Sequence, residues 1–594
     1  MMRGNRRRPM EETGDSMSGL KRLAGFCRPY LPAIAIALFF ALVGTVCTII
    51  GPDKLSELTD ILTQGLMQDV DMEAVGRICW TLVAFYGVSA LASLFQSWIM
   101  TTVTQRVSRK MRSAISSKIN RLPIDYYNHT SFGDVLSRVT NDVDTVGEAV
   151  QRSVVSLVSA AALFIGCLFM MFRTNALMAL TAILSSLLGF GMMGAIMGRS
   201  QRYFQDQQQA LGELNGHIEE AFSGHDVLKV YNAEAQMGGR FDQLNDRLYS
   251  SNWRSQFLSG LMQPLMGFVG NFGYVAVCVV GAALAMSGRI SFGVIVAFMV
   301  YVRLFTNPLS QMAQGMTQLQ SASAAAGRVF DFLDAEEMAD ESRKTRKLES
   351  PKGEVEFDHV KFGYTPDRIV IHDFSEHVHP GMKVAIVGPT GAGKTTLVNL
   401  LMRFYELNGG EIRIDGVPAT DLTRANIHDL FGMVLQDTWL FEGTIRENVV
   451  YGKENVPDER LQQVCRAVGM HHFIQTLPRG YDTVIDDKLN LSEGQKQLLT
   501  IARAMIEDAP MLILDEATSS VDTRTELLIQ RAMDELTKGR TSFVIAHRLS
   551  TIRNADLILV LKDGDVIESG THESLLQQGG FYAELYNSQF EPAA

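Results

Sequence analysis

Six stretches of the chain are apolar for long enough to cross a bilayer as helices, at about 20 residues and 1.5 Å per residue against a core of about 30 Å. They cover residues 31–50, 78–100, 154–172, 176–197, 258–286 and 292–312. Three short or acidic links join them in pairs: 53–73, 173–175 and 287–291. The two remaining links, 101–153 and 198–257, are long, polar and rich in Arg and Lys. An even number of spans returns the chain to its starting side, and the Lys/Arg bias places the long links in the cytoplasm. Neither long link carries Gly/Pro clusters, so each is predicted to continue the spans as helices that reverse at a short tip. The tips are placed at 128–134 (NHTSFGD) and 223–226 (SGHD).

The pattern changes after the sixth run. Residues 331–352 are charged and lose apolar periodicity, which marks a linker. Beyond them strand-like runs such as VEFDHVKFGY, KVAIVG, MLILDE and TSFVIAH alternate with helical stretches, predicting a mostly parallel α/β sheet. The predicted fold class is therefore an α-helical transmembrane domain of six spans with long cytoplasmic extensions, followed by an α/β domain. Its boundaries are 1–30 for a cytoplasmic N-terminus with an interfacial helix, 31–325 for the spans, 326–352 for the linker and 353–594 for the second domain.

Composition narrows the function. A formal charge of −11 over 594 residues excludes a nucleic-acid partner, which requires a basic face. The six cysteines are scattered singly without CxxC spacing, so they read as free thiols rather than a disulfide framework or cysteine zinc site. The arginines at positions 3, 6, 7 and 8 precede no cleavable apolar segment and are expected to hold the N-terminus inside.

The sharpest chemical signal is GPTGAGKT, residues 388–395, directly after the apolar strand KVAIV. A phosphate chain needs many backbone N–H groups at close range, so the loop must be poor in side chains, as Gly388, Gly391 and Gly393 make it. Thr390 and Thr396 flank the same cradle, Lys394 is expected on the β/γ-phosphates and Thr395 on Mg²⁺. The strand MLILDE ends in two acids. Asp515 suits Mg²⁺ and Glu516 is placed to polarise an attacking water.

With these motifs in hand, the chain resembles the ABC transporter superfamily, in particular exporters that fuse six spans ahead of one ATPase domain. Leu491-Ser-Glu-Gly-Gln495 is similar to that family's LSGGQ signature, contributing Ser492, Glu493, Gly494 and Gln495. The resemblance implies further roles: Tyr364 stacking on adenine, Gln436 sensing Mg²⁺, His547 bonding the γ-phosphate and Asp522 crossing a dimer interface. It implies ATP and Mg²⁺ as cofactors, a lipid membrane as surroundings, a bacterial plasma membrane as location, and a second half-subunit as partner. In such dimers each ATP lies between one chain's phosphate loop and the other's signature.

Glu493 departs from the family pattern, which has Gly there. A Cβ and a negative charge beside the partner's γ-phosphate are expected to weaken hydrolysis at the site this signature completes. Lys394, Asp515, Glu516 and His547 remain intact. That asymmetry resembles heterodimeric exporters in which this chain keeps the catalytic acid and a different partner carries a normal signature and a degenerate acid; a homodimeric lipid flippase or exporter, or a non-transport regulatory membrane ATPase, is the alternative. Substrate signals are thin. Arg303 falls near the middle of the sixth run, where a charge is costly enough to suggest a lumen-facing position, with a structural pair to a neighbouring helix or a snorkelling side chain as the equal alternative. A drug- or lipid-like cargo and a multidrug or lipid efflux role follow from the resemblance alone.

Overall fold

The structure is a computed structural model that describes residues 16–65, 70–365, 368–436, 438–486, 489, 491–515, 522–546 and 549–590. The chain divides into two compact units, one of Met1–Arg121 and Thr130–Ala335, the other of Leu122–His129 and Glu336–Ala594.

In the first unit each apolar run lies within a long helix: Leu31–Gly65, Met72–Ile119, Val154–Thr174, Ala176–Ser223, Glu234–Met286 and Phe292–Leu333. Five of these regions are long and apolar enough to cross a membrane; for the fourth run the described apolar part is Ala176–Leu187. Met72–Ile119 has 48 residues, about 72 Å of helix at 1.5 Å per residue, so it runs well past a bilayer core. Asp71 begins it as N-cap, accepting the Glu73 and Ala74 N–H groups at 3.0 Å. The helices pack as neighbours, with Leu31–Gly65 on Met72–Ile119, Val154–Thr174 on Phe292–Leu333, and Ala176–Ser223 on Glu234–Met286. Phe298, Tyr301, Val302 and Phe305 of the sixth helix fill a core with Cys167, Met171, Met178 and Ala182.

A helix forms at Ser16–Phe26, within the stretch expected ahead of the first span, and it packs on the far part of Phe292–Leu333. Arg22 reaches Asp331 at 3.1 Å and Asp334 at 3.2 Å. At Gly19 an added Cβ would stand 2.4 Å from the Ser323 carbonyl oxygen, so only glycine permits this approach. Ahead of the third run the helix loosens twice into π-turns, at Arg138–Asp142 and Ala149–Ser153. Asp142, buried in the first, accepts both forks of Arg328 at 3.0 and 2.5 Å.

The structure redraws both tips. The first is a short helix at Ile124–His129, earlier in the chain than the expected 128–134, and it belongs to the second compact unit. There Asn128 Nδ2 donates to Tyr405 Oη at 2.6 Å. The second tip is the helix His225–Val230, begun at Gly224 and overlapping the expected 223–226.

Among the described residues the second unit holds three sheets. Strands β1 (Val355–Thr365), β2 (Arg368–Val378), β3 (Lys383–Val387), β4 (Gly409–Ile414), β5 (Val417–Pro418), β6 (Phe431–Val434), β7 (Gly443–Thr444), β8 (Val484–Ile485), β9 (Met511–Asp515), β10 (Thr541–Ile545), β11 (Leu557–Lys562) and β12 (Asp565–Gly570) follow in order. The central sheet runs β12-β11-β3-β10-β9-β6, parallel except for β12. An antiparallel sheet, β2-β1-β4-β5, packs Val355, Phe357 and Phe374 against Phe543 and Ile386, and β7 pairs with β8. A parallel sheet needs both faces covered, and the near-continuous apolar strands β3, β9 and β10 meet that need.

The linker is pinned by charge. Glu341 bonds Lys344 at 2.9 Å, Arg403 at 2.8 Å and the Arg424 backbone N–H at 2.7 Å. Burial alone would raise the Glu341 carboxyl, but these donors and the Arg403 and Arg424 charges hold it below the ordinary carboxylate range.

Candidate functional site

The phosphate loop grows out of β3, which lies between β10 and β11. At Gly388 an added Cβ would sit 2.3 Å from the Leu561 carbonyl oxygen, so the turn off the strand requires glycine. Gly391 (φ +85°) and Gly393 (φ +101°) then adopt the left-handed region, where a side chain would be strained. These turns lead straight into the helix Lys394–Leu401.

Lys394 Nζ donates to the carbonyls of Gly388 (2.6 Å) and Pro389 (3.1 Å), which holds the ammonium on the loop. Burial pushes its pKa down, and the Asp515 charge opposes that shift. Thr390 and Thr395 are exposed, whereas Thr396 is buried one residue further on. Tyr364, on β1, places its hydroxyl 3.0 Å from Thr396 Oγ1 and meets Phe362 and Tyr405 edge-on at 5.0 and 5.1 Å. The expected adenine-stacking ring therefore stands beside the phosphate-loop helix. Backbone donors, an ammonium and an exposed hydroxyl facing one glycine-rich turn are the donor set a polyphosphate needs.

Of the other predicted residues, Asp515 and Gln436 lie at the same sheet edge. Asp515 ends β9 level with Ile545 of β10, which is itself level with Ile386 of β3. Gln436 follows β6 by two residues and is exposed. In open α/β sheets ligands bind outside the carboxyl ends of the strands, and this edge is that place. Glu516 and His547 lie outside the described residues, as do residues 520 and 521 of the expected interface loop. Asp522 is described and has a local task. It caps the helix Thr523–Thr537, and the Thr525 hydroxyl and N–H, with the Arg524 N–H, hold its carboxyl below the ordinary range.

The signature sits elsewhere in the unit, at the start of the helix Glu493–Glu507. Ser492 is the N-cap of a capping box: its hydroxyl accepts the Gln495 N–H at 3.3 Å, and Gln495 accepts the Ser492 N–H at 2.9 Å. Among the described residues no hydrogen bond or ion pair links 491–495 to the phosphate loop. Glu493 occupies the first helical position and pairs with Lys496 at 2.8 Å while staying exposed. Sequence reasoning missed this partner, although it lies three residues along the same helix.

In the membrane unit Arg303 is exposed on the sixth helix, opposite Phe298, Tyr301, Val302 and Phe305. It heads a polar stripe: Asn307, Gln311 and Gln314 are exposed at helical spacing on the same side. Among the described residues none of these four side chains makes a hydrogen bond or ion pair. The six apolar runs together contain no other Asp, Glu, Lys, Arg or His. The i, i+4, i+8 spacing was available in the sequence; the exposure was not.

Comparison with known proteins agrees with this architecture. Residues 34–309 match the family model of the ABC transporter transmembrane region, and 371–519 match that of the ABC transporter ATPase domain. The chain is 46% identical over 519 residues to a fatty acid ABC transporter ATP-binding/permease protein of Mycobacterium tuberculosis, covering 87% of this chain and 82% of that one. It is 32% identical over 595 residues to an ATP-dependent lipid A-core flippase of Syntrophus aciditrophicus, covering 99% and 98%. A bacterial Atm1-family ABC exporter solved with ATP bound superposes with a TM-score of 0.73 at 25% identity, over 95% of this chain and 99% of that chain. A helical membrane region fused ahead of a phosphate-loop ATPase, in one chain, thus makes this protein a member of the ABC transporters of exporter type, an integral membrane protein that couples ATP hydrolysis to transport.

Proposed function

We propose that this chain is one half of a dimeric exporter that moves an anionic, lipid-like amphiphile, with ATP and Mg²⁺ held at the carboxyl edge of its central sheet. The observation that carries the cargo reading is Arg303. It lies eleven residues into its helix, about 17 Å from the outer end, so its guanidinium is deep in the bilayer core. No carboxylate lies in any of the six runs to neutralise it. An unpaired charge at that depth is stable only when facing water or an anion. Arg303, Asn307, Gln311 and Gln314 offer donors for an acidic headgroup beside an apolar wall for a tail. The names of the fatty acid transporter and lipid A flippase relatives fit such a cargo.

At the nucleotide site the roles follow the donor set. The loop N–H groups of 388–395 and Lys394 hold the phosphates, with Thr396 in the adjoining first turn, and Thr395, Asp515 and Gln436 hold Mg²⁺. Glu516 orients water, and His547 contacts the terminal phosphate. Bound Mg²⁺ supplies charge neutralisation on the phosphate oxygens.

Among the described residues the signature makes no bond to its own chain's phosphate loop, which supports a second half-subunit as the partner that completes each nucleotide site. The second tip supports this: Phe222 (84% exposed), Val227, Val230 and Tyr231 (77% exposed) present apolar surface outside the membrane runs. Glu493 favours a different chain as that partner, one with an ordinary signature. Lys496 balances the charge of Glu493 but leaves its side chain on a helix start that otherwise offers bare N–H groups.

The test is ATP-driven movement of a fluorescent long-chain carboxylate, against a neutral ester of the same chain, in inside-out vesicles. The carboxylate is expected to move at least several-fold faster; equal transport of the ester overturns the cargo reading. Full ATP turnover by the chain purified alone overturns the different-partner reading and favours a homodimer.

A further inference from the structure

The antiparallel sheet of the second unit carries chemistry that nucleotide binding does not use. Glu354 immediately precedes β1, and His377 and His379 lie at and just beyond the end of β2. The register pairs Val355 with Val378 and Glu356 with His377, which sets Glu354 across from His379. Residues two apart share a strand face, so both imidazoles and the Glu354 carboxylate project on the side opposite the buried Val355 and Val378.

We infer that these three side chains form a binding site for a divalent d-block cation of the zinc type. One ligand atom from each lies within 4.8 Å of the others. His377 Nε2 is 2.8 Å from Glu354 Oε1, and the two imidazole centroids are 4.5 Å apart. Zinc bonds of about 2.0–2.1 Å in tetrahedral geometry separate ligand atoms by roughly 3.4 Å. The 2.8 Å distance between His377 and Glu354 and the 4.8 Å limit on the cluster bracket that spacing, and water would take the fourth position.

The backbone beneath the cluster is fixed. The Asp415 carboxylate accepts the Lys352 and Glu354 N–H groups at 2.8 and 2.9 Å, which sets the entry to β1. On the other side the Met382 N–H returns to the His379 carbonyl at 3.2 Å, across Pro380 and a left-handed Gly381 (φ +79°). Among the described residues Glu354 has no side-chain partner except His377, because neighbouring Glu356 is engaged by Arg413. Two imidazoles with one carboxylate select zinc, nickel or copper over the oxygen-seeking Mg²⁺ that accompanies ATP. Two nearby pairs serve as controls, His359–Asp373 within the same sheet and His372 of β2 with Asp565 of β12, each a single imidazole on a single carboxylate at 2.9 and 3.0 Å.

Occupied, the site clamps the start of β1 to the end of β2. It lies at the opposite end of β3 from the phosphate loop, one five-residue strand or about 17 Å away, so the ion would not compete for the nucleotide's metal. The test uses the full-length chain in detergent, stripped with chelator and kept in excess Mg²⁺, with zinc binding followed by equilibrium dialysis and thermal midpoint. Wild type is expected to take up a zinc ion that raises the midpoint, with two imidazoles visible in its zinc-edge absorption spectrum. His379→Ala is expected to weaken that uptake by about tenfold or more. The His359→Ala/His372→Ala double variant should bind as wild type does, and all variants should share the zinc-free midpoint. Equal zinc affinity in His379→Ala and wild type overturns the site, as does absence of zinc uptake by wild type.

Discussion

The two units of this chain treat charge in opposite ways. In the ATPase unit a buried cation is surrounded by its compensation. Arg403 meets Glu341 at 2.8 Å and Glu406 at 3.0 Å, and Arg424 closes the group from the other side. In the membrane unit the single charge of the six runs, Arg303, has no such partner among the described residues. Folding offsets the first charge by itself. The second is left for something outside the chain to neutralise, which is how a scaffold differs from a binding surface.

Removing charges from either unit sharpens this contrast, and the largest effect belongs to the ammonium that nucleotide rather than fold must satisfy. Lys394→Ala should lower phosphate release by about a hundredfold or more, with little change in thermal midpoint, because its own bonds are to two loop carbonyls. Glu341→Gln acts on the scaffold instead. Leaving Arg403 and Arg424 short of an anion should cost about 2–3 kcal/mol, a midpoint drop of roughly 5–10 °C. Since the Glu341 carboxyl is held below its unfolded value of about 4.3, that stability is present above about pH 5. It is lost as pH falls through the lower folded pKa, so the gap between wild type and Glu341→Gln should narrow only in acid.

Arg303→Gln should cut vesicle transport of the long-chain carboxylate by about tenfold, while Arg303→Lys, which keeps the charge, should retain most of it. A loss of midpoint in Arg303→Gln comparable to that of Glu341→Gln would erase the contrast between the units. The smallest effect is expected at the signature, where Glu493→Gly should raise ATP turnover by roughly fivefold, measured as phosphate release.

Legibility followed sequence distance. The phosphate loop was readable because strand, glycines and lysine are contiguous, so local backbone chemistry fixes them together. The acid ending β9 was readable for the same reason. The Glu493–Lys496 pair is equally local, at i, i+3 on one helix. The linker cluster was not legible, since its partners are separated by 62 and 83 residues and nothing local links Glu341 to Arg403 or Arg424. The tips were placed only approximately: Gly and Ser marked the reversals, but the short helices within them depend on neighbours. Tyr364 was assigned by analogy, and its contact with Thr396 spans 32 residues.

The sequence by itself determined the solvent of each half and the chemistry of the nucleotide loop, because hydropathy and backbone freedom are properties of short contiguous segments. Tertiary structure decided which charges would be matched. It set Arg403 among carboxylates, turned Arg303 away from the helix core, and brought Glu354 to His377 across two paired strands. Pairing requires that distant segments meet at hydrogen-bond range, and only the folded chain fixes those distances.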